Sequence, residues 1–390
     1  MTSHKLIPFL ILLCAVLCGL SASEFALSAG EGPLANQQDA SAQERKVGQS
    51  SSPEKHMSST NPIFRTPKSR RLVSAWITQE AVEPAVARVR EFADIFDQVI
   101  LMCGSVRGDG TLSHRWPQAE RKQLVERFRE MDVSVLMDWA GGWERGFQKI
   151  AESPELMKQL VRTIVEDCEA TGADGVDIDL EHLPPTARFA FTDFFAQLAE
   201  ALHARNLMLS ICTGGNLGAY RRDWGQSFID VPVIARYADH IRQMNYDMFY
   251  PSPTSPPGPT AIAPWVRDML AYTANEVPKG KLIAGLPTYS VDWNVLHPEK
   301  SDQVYNHEWI AAREKEAPGG RQWISYWDVS LIRYTDAEGA PHLLYVTDGR
   351  STRSNLVFVD DLEVAGVCFW CLQGDDPAIW QAVREQFKRR

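Results

Sequence analysis

The sequence is short of the residues that staple or load small folds. It holds 7 cysteines and 9 histidines in 390 residues. Cys14 and Cys18 lie in the first apolar run, which leaves Cys103, Cys168, Cys212, Cys368 and Cys371, an odd set that builds no complete disulfide framework. The segment CFWC, Cys368 to Cys371, has the spacing of a redox or metal pair. It sits in a strand-like run, however, where residues three apart face opposite ways. No second cysteine or histidine pair completes a zinc site, so buried free thiols are expected. Basic charge is also scarce: 40 Lys and Arg stand against 50 Asp and Glu, a net charge of -10 that argues against nucleic acid or an anionic membrane as the main partner. No glycine-rich phosphate loop follows the first strand, so nothing supports a nucleotide site. Long apolar runs are missing beyond the first, Leu6 to Leu20, which is itself short of the roughly 20 residues a membrane span needs.

That first run has an address-like layout. Lys5 precedes it and the small residues Ser21 to Ser23 follow, the pattern of a secretory signal peptide over residues 1–23, leaving no stable membrane span after cleavage. Leu17 stands before Cys18, where a lipoprotein cleavage site has a small residue. Residues 24–67 are rich in Ser, Gln and Pro without an apolar period and read as a disordered linker. Residues 68–390 then form the folded part, and 44% hydrophobic with 23% charged residues is an ordinary globular balance.

Eight short apolar runs punctuate this part: RLVSAW, DQVILMCG, VSVLMDW, GVDIDL, LMLSICT, HIRQMNY, KLIAGLP and GVCFWCL. Amphipathic helical patterns separate most of them. In residues 153–172, Ser153 is placed to cap a helix, Pro154 suits its first turn, and Leu156, Leu160, Ile164 and Cys168 form a stripe before Gly172 ends it. Phe191, Phe194, Leu198 and Leu202 mark another helix. Near-continuous apolar strands alternating with helices predict parallel strands covered by helices, and eight such units predict a (β/α)8 TIM barrel. An open doubly wound sheet is the alternative. The interval between the seventh and eighth runs is too long for one helix. Its aromatic and β-branched residues around the turn signal DAEG predict a small β-hairpin insertion on the barrel rim.

The chemistry concentrates in GADGVDIDLEHL, Gly172 to Leu183. Asp177, Asp179 and Glu181 occupy every second position, so they share one face of the fourth barrel strand. In a barrel that face is the interior, and the strand's C-terminal end opens at the mouth where active sites lie. Three carboxylates in a confined space cannot all be ionised cheaply; they share protons, and such sharing can keep Glu181, the last of them, protonated as a general acid. From the residues alone, a calcium or magnesium site on the same carboxylates is the competing reading.

DGVDIDLE, Asp174 to Glu181, resembles the D-G-x-D-x-D-x-E motif of glycoside hydrolase family 18, the chitinase family. MNYD (Met244 to Asp247), GLPTYS (Gly285 to Ser290) and GVCFW (Gly366 to Trp370) resemble its sixth-, seventh- and eighth-strand segments, with Ser290 in place of a glycine. The likeness covers about Arg71 to Trp380. GLPTYSVDW, YTDAEGAPHLLYVTDGRS and LQGDDPAIW are similar to the branch containing spore-cortex peptidoglycan hydrolases and chitinase-domain proteins, although no LysM-type repeat is visible.

The resemblance implies a retaining, substrate-assisted glycosidase acting on a polysaccharide containing N-acetylglucosamine, with no cofactor and no metal. Glu181 would protonate the leaving oxygen. Asp179 would orient the 2-acetamido group, Asp177 would share a proton with Asp179, and Tyr246 would bind the acetamide oxygen. Asp247 and Met244 would contact substrate, and Trp370 would floor the sugar. Trp76, and Tyr289 with Trp293 after the seventh strand, would line the cleft, with packing as the alternative for each. The family's third strand usually ends S-x-G-G. Here Trp139 takes the serine's place in WAGG, removing a hydroxyl from the inner aspartate, and Trp139 is instead a candidate glycan contact. His182 should point away from the site by alternation. A non-hydrolytic carbohydrate-binding protein on the same scaffold is the competing function.

Overall fold

A computed structural model describes residues 66–215 and 227–388. The described residues belong to one compact unit. The expected signal peptide, and the expected linker up to residue 65, lie outside the described residues.

Eight parallel strands close into a barrel: β1 (Leu72–Ile77), β2 (Gln98–Val106), β4 (Ser134–Gly141), β5 (Gly175–Leu180), β6 (Met208–Gly214), β7 (His240–Met244), β8 (Leu282–Pro287) and β14 (Gly366–Trp370). Each pairs with the next, β14 pairs with β1, and β1 pairs with β2 to complete the ring. All eight apolar runs are therefore barrel strands, as the alternation with helices predicted. The short β3 (Leu112–His114) is an addition, pairing antiparallel with the end of β2.

Alternation along the strands explains why they read as near-continuous apolar runs. Val73, Ala75, Val99, Leu101, Val135, Met137, Val176 and Ile178 face outward into the main core, under the helices. Trp76, Ile100, Met102, Leu136, Cys212, Ile283 and Cys368 face inward and fill the barrel. The covering helices are α1 (Val82–Glu91), α2 (Gln118–Arg129), α3 (Pro154–Thr171), α4 (Arg188–His203), α5 (Ala263–Ala274), α7 (Gly349–Asp361) and α8 (Pro377–Gln386). α3 has the ends its sequence predicts. The Ser153 side chain accepts from the Leu156 N–H, and Gly172 closes the helix at φ 72°, a left-handed value that favours glycine.

The insertion between β8 and β14 is larger than a hairpin. The predicted hairpin is present as β12 (Val329–Thr335) and β13 (Pro341–Val346), at the centre of a five-stranded antiparallel sheet. That sheet is completed by β9 (Ser290–Asn294), β10 (Asp302–Val304) and β11 (Arg321–Ile324). On one face Ile332, Leu344 and Val346 pack against Ile310 of α6 (His307–Glu316); on the other, Val291, Trp293, Leu331 and Tyr345 pack toward Tyr246 and Phe249 after β7. Two-faced burial is what a sheet sandwiched between a helix and the barrel rim requires. The two short outer strands are too brief to leave an alternating pattern in the sequence.

Candidate active site

The three motif carboxylates rise along β5 as its alternation dictates. Asp177 is fully buried, Asp179 is half-buried, and Glu181, one residue past the strand, is half-buried at the mouth. The Glu181 backbone N–H still donates to the Gly141 carbonyl at 2.9 Å, continuing the β4–β5 ladder and fixing where the side chain leaves the strand. His182 follows at φ 57° and is exposed, turned away as alternation predicted.

Asp177 is held from several sides. Its Oδ1 accepts from the Ser210 hydroxyl and lies 3.8 Å from Nη1 of Arg242, which is also fully buried. Its Oδ2 accepts from the Trp76 indole N–H at 3.3 Å and from the Cys212 thiol at 3.2 Å. Arg242 in turn donates to Gln98 at 2.8 Å. An ion pair therefore sits inside the barrel, beneath the reactive end.

A fourth carboxylate, not singled out by the motif, joins them. Asp138 on β4 is opposite Asp177 in register and 0% exposed. Neither of its oxygens accepts a hydrogen bond, and Asp179 Oδ1 also accepts none. Burial, then the charges of Asp179 and Asp177, push the Asp138 carboxyl well above the usual range. Burial, then the charges of Glu181 and Asp177, do the same to Asp179. The sequence did carry a signal for Asp138, a lone charge in the apolar run VSVLMDW, because a charged residue is almost never fully buried without a reason. Asp138, Asp179 and Cys212 are also the set among the described residues whose ligand atoms lie close enough for a cation, all within 4.8 Å of one another. Three donors fall short of the four protein ligands of a structural zinc site and of the six to eight oxygens calcium takes.

The side wall comes from the segments after β7 and β8. Tyr246 is half-buried, and burial pushes its hydroxyl well above the usual range, so it is a hydrogen-bond donor throughout the physiological range. Asp247 adopts φ 60° and is locked by its neighbours. The Tyr289 hydroxyl donates to its Oδ1, Gln303 of β10 donates at 3.2 Å, and Thr260 Oγ1 accepts from its N–H at 2.9 Å. Half-buried Trp370 donates from its indole to the Tyr305 hydroxyl at 3.2 Å and lies against Trp76 with ring centroids 6.0 Å apart. Met244 is half-buried against the barrel interior. Gln303 and Tyr305 belong to the inserted region and were not singled out, since their sequence surroundings carry no motif.

Four expected substrate contacts are placed elsewhere. Trp139 is fully buried on the outward face of β4, edge-on to His114, so it meets the helical layer and not a glycan. One residue of register decides this: in a strand Asp138 faces in and Trp139 must face out. Tyr289 is 0% exposed and holds Asp247. Trp293 is buried and donates to the Gly258 carbonyl at 2.7 Å. Trp76 is 1% exposed and supports Asp177. The five cysteines of the described residues are free and buried, as expected, and Cys212 among them touches the carboxylates.

The family model described as glycosyl hydrolases family 18 matches residues 84–375. The chain is similar to the cortical fragment-lytic enzyme of Bacillus subtilis (strain 168), 25% identical over 239 residues, covering 59% of this chain and 53% of that protein. It thus spans about half the length of that curated relative. Among solved structures it resembles the spore cortex-lytic enzyme SleL of Bacillus megaterium QM B1551, with a TM-score of 0.72 at 20% identity over 83% of this chain and 76% of that one. A chitinase from Chromobacterium violaceum ATCC 12472 gives a TM-score of 0.72 at 21% identity, over 82% of this chain and 100% of that one. At such identities the two structures speak to the fold alone.

Proposed function

The chain belongs to the glycosyl hydrolases family 18, and on that premise we propose that it is an exported, retaining glycosidase. Its substrates are glycans containing N-acetylglucosamine, of the chitin or peptidoglycan type, cut at β-1,4 linkages by substrate-assisted catalysis. The observation that carries this reading is the ascending series Asp177, Asp179 and Glu181 on one inward face of β5, ending at the barrel mouth.

Glu181 delivers a proton to the leaving glycosidic oxygen. The scheme differs from the usual pair of carboxylates because the sugar's own 2-acetamido oxygen attacks C1. Asp179 accepts from the acetamide N–H and faces the positive charge that develops on the ring closed this way. Tyr246 donates to the acetamide oxygen and holds it near attack geometry. Trp370 offers an apolar face under the ring, and Asp247, fixed by Tyr289 and Gln303, presents its other oxygen to sugar hydroxyls. Water then opens the cyclised sugar with Glu181 as base, and the anomeric configuration is retained. Export rests on the N-terminal pattern of the sequence. No helix of the described residues is long and apolar enough to cross a membrane.

The test is turnover of N-acetylglucosamine oligomers and of purified peptidoglycan side by side, with a thiazoline mimic of the cyclised sugar as inhibitor. A chain that binds these glycans and leaves them intact is a carbohydrate-binding protein instead. Turnover that the thiazoline does not inhibit rules out participation by the acetamide.

A further inference from the structure

A hydrogen-bond chain leaves the barrel at Trp370, crosses the edge of the inserted sheet and returns to the barrel at Asp247. The Trp370 indole N–H donates to the Tyr305 hydroxyl at 3.2 Å. That hydroxyl donates to Oε1 of Gln303 at 3.1 Å. Nε2 of Gln303 then donates to Oδ1 of Asp247 at 3.2 Å. Gln303 lies on β10, which pairs with β9 alone, and Tyr305 lies just past it.

The groups themselves make the chain run one way. An indole nitrogen donates and never accepts, so the Tyr305 oxygen must accept from it. The single hydrogen of that hydroxyl is then free for Gln303, and burial raises the Tyr305 pKa, which keeps that hydrogen in place at neutral pH. Receiving it fixes the Gln303 amide with its oxygen toward Tyr305, and hence with its N–H toward Asp247. A flipped amide would set N–H against O–H at one end and oxygen against carboxylate at the other. Strand alternation supplies the aim. Val304 turns to the Ile310 side of the sheet, so Gln303, its neighbour, turns to the barrel side, opposite Val291 in register. The Tyr289 hydroxyl donates to the same Oδ1 of Asp247. Oδ2 takes no hydrogen bond from the described residues.

We propose that Gln303 and Tyr305 are positioning residues for the reacting sugar: they tie the Trp370 ring beneath it to the Asp247 carboxylate beside it, and so hold Oδ2 toward its hydroxyls. The proposal rests on the glycosidase reading for the identity of that sugar. It makes the edge of the inserted sheet a working part of the site.

The groups that face Asp247 come from several elements. Tyr246 precedes it, Thr260 stands before α5, Tyr289 follows β8, and Gln303 and Tyr305 come from the insertion. Asp179 and Asp247 both act on Tyr246. No Lys or Arg of the described residues pairs with Asp247, so these neutral donors are what offset the burial that raises its pKa.

Calorimetry of an N-acetylglucosamine oligomer binding to the full chain tests this, in a Glu181→Gln parent that cuts nothing. Gln303→Met and Tyr305→Phe should each weaken binding about tenfold. The double variant should also lose about tenfold, because a chain broken twice is still one broken chain. Single variants that bind like the parent overturn the proposal. So does a double loss of about a hundredfold, the product of two independent contacts. Gln303→Glu separates positioning from packing. At neutral pH its carboxylate lacks the N–H and repels Asp247, so binding falls further. Once protonated, its C=O and O–H reproduce the acceptor and donor of the amide. Its affinity relative to the parent should therefore recover as pH falls from about 7 to 5, while Gln303→Met stays level. A Gln303→Glu deficit equal at every pH overturns the proposal. A wild-type chain that neither binds nor cuts the oligomer sinks the glycosidase reading and this proposal with it; binding that the variants leave intact sinks this proposal alone.

Discussion

Glu181 stands one residue past the end of β5, and that single step places a carboxyl at the mouth while its two predecessors stay deeper. Glu181→Gln keeps the shape and removes the transferable proton. Its kcat on an N-acetylglucosamine oligomer should fall by about 10²–10⁴-fold, with oligomer binding retained in calorimetry. Normal cleavage by this variant would remove Glu181 from the reaction. At the same scale, the buried Asp138 carboxyl has a pH signature. Its folded value is raised by burial, and the unfolded group titrates near the ordinary value of about 3.9. Between those two values the folded chain binds more protons, so stability falls as pH rises through the window. Asp138→Asn should flatten that decline, read as the slope of Tm against pH above about pH 4. The Asp177–Asp179–Glu181 series was legible because period two is local. Asp138 was harder to see, since its importance depends on which strand β4 meets.

At the scale of elements, the inserted sheet supplies part of the site's wall. β9 follows β8 after only Thr288 and Tyr289, and the buried Tyr289 hydroxyl holds Asp247. Tyr289→Phe removes a hydrogen bond to a carboxylate. It should lower kcat/KM about tenfold, about 1.4 kcal/mol; an unchanged kcat/KM would take Asp247 out of substrate binding. The close approach of β4 to its neighbours gives a stability prediction. A Cβ on Gly141 would lie 2.6 Å from Leu180 Cδ2 and 2.7 Å from Val106 Cγ2. Gly141→Ala should cost about 1–3 kcal/mol in denaturant unfolding through overpacking. The hairpin β12–β13 was readable from its turn and its β-branched residues. β10 and β11 have three and four residues, too few to show a period, and so Gln303 and Tyr305 gave no sign of reaching the site.

Across the whole molecule, a further buried titratable group lies at the other end of the barrel. His240 opens β7, and burial, then the charge of Arg242, lower it to about 3 from 6.5. An unfolded histidine takes up a proton near 6.5 while the folded one does not. Stability from this group is therefore present above about pH 6.5 and is lost as pH falls toward 3, at about 1.4 kcal/mol per unit. His240→Asn should shallow the acid limb of stability, measured as the denaturant midpoint between pH 6.5 and 4; an unchanged limb would mean that another group governs acid unfolding.

The amino-acid sequence by itself determined the eight alternating units, the capped ends of α3 and the inward row of Asp177, Asp179 and Glu181. Each of these follows from neighbours within a few residues, through strand period, helix period and turn chemistry. Only the tertiary structure decided that Asp138, Cys212 and Arg242 converge on that row, that Tyr289 braces Asp247, and that Trp139 turns into the helical layer. Those meetings depend on how the sheet closes and which face each strand offers at closure, and neither is written in any one local segment.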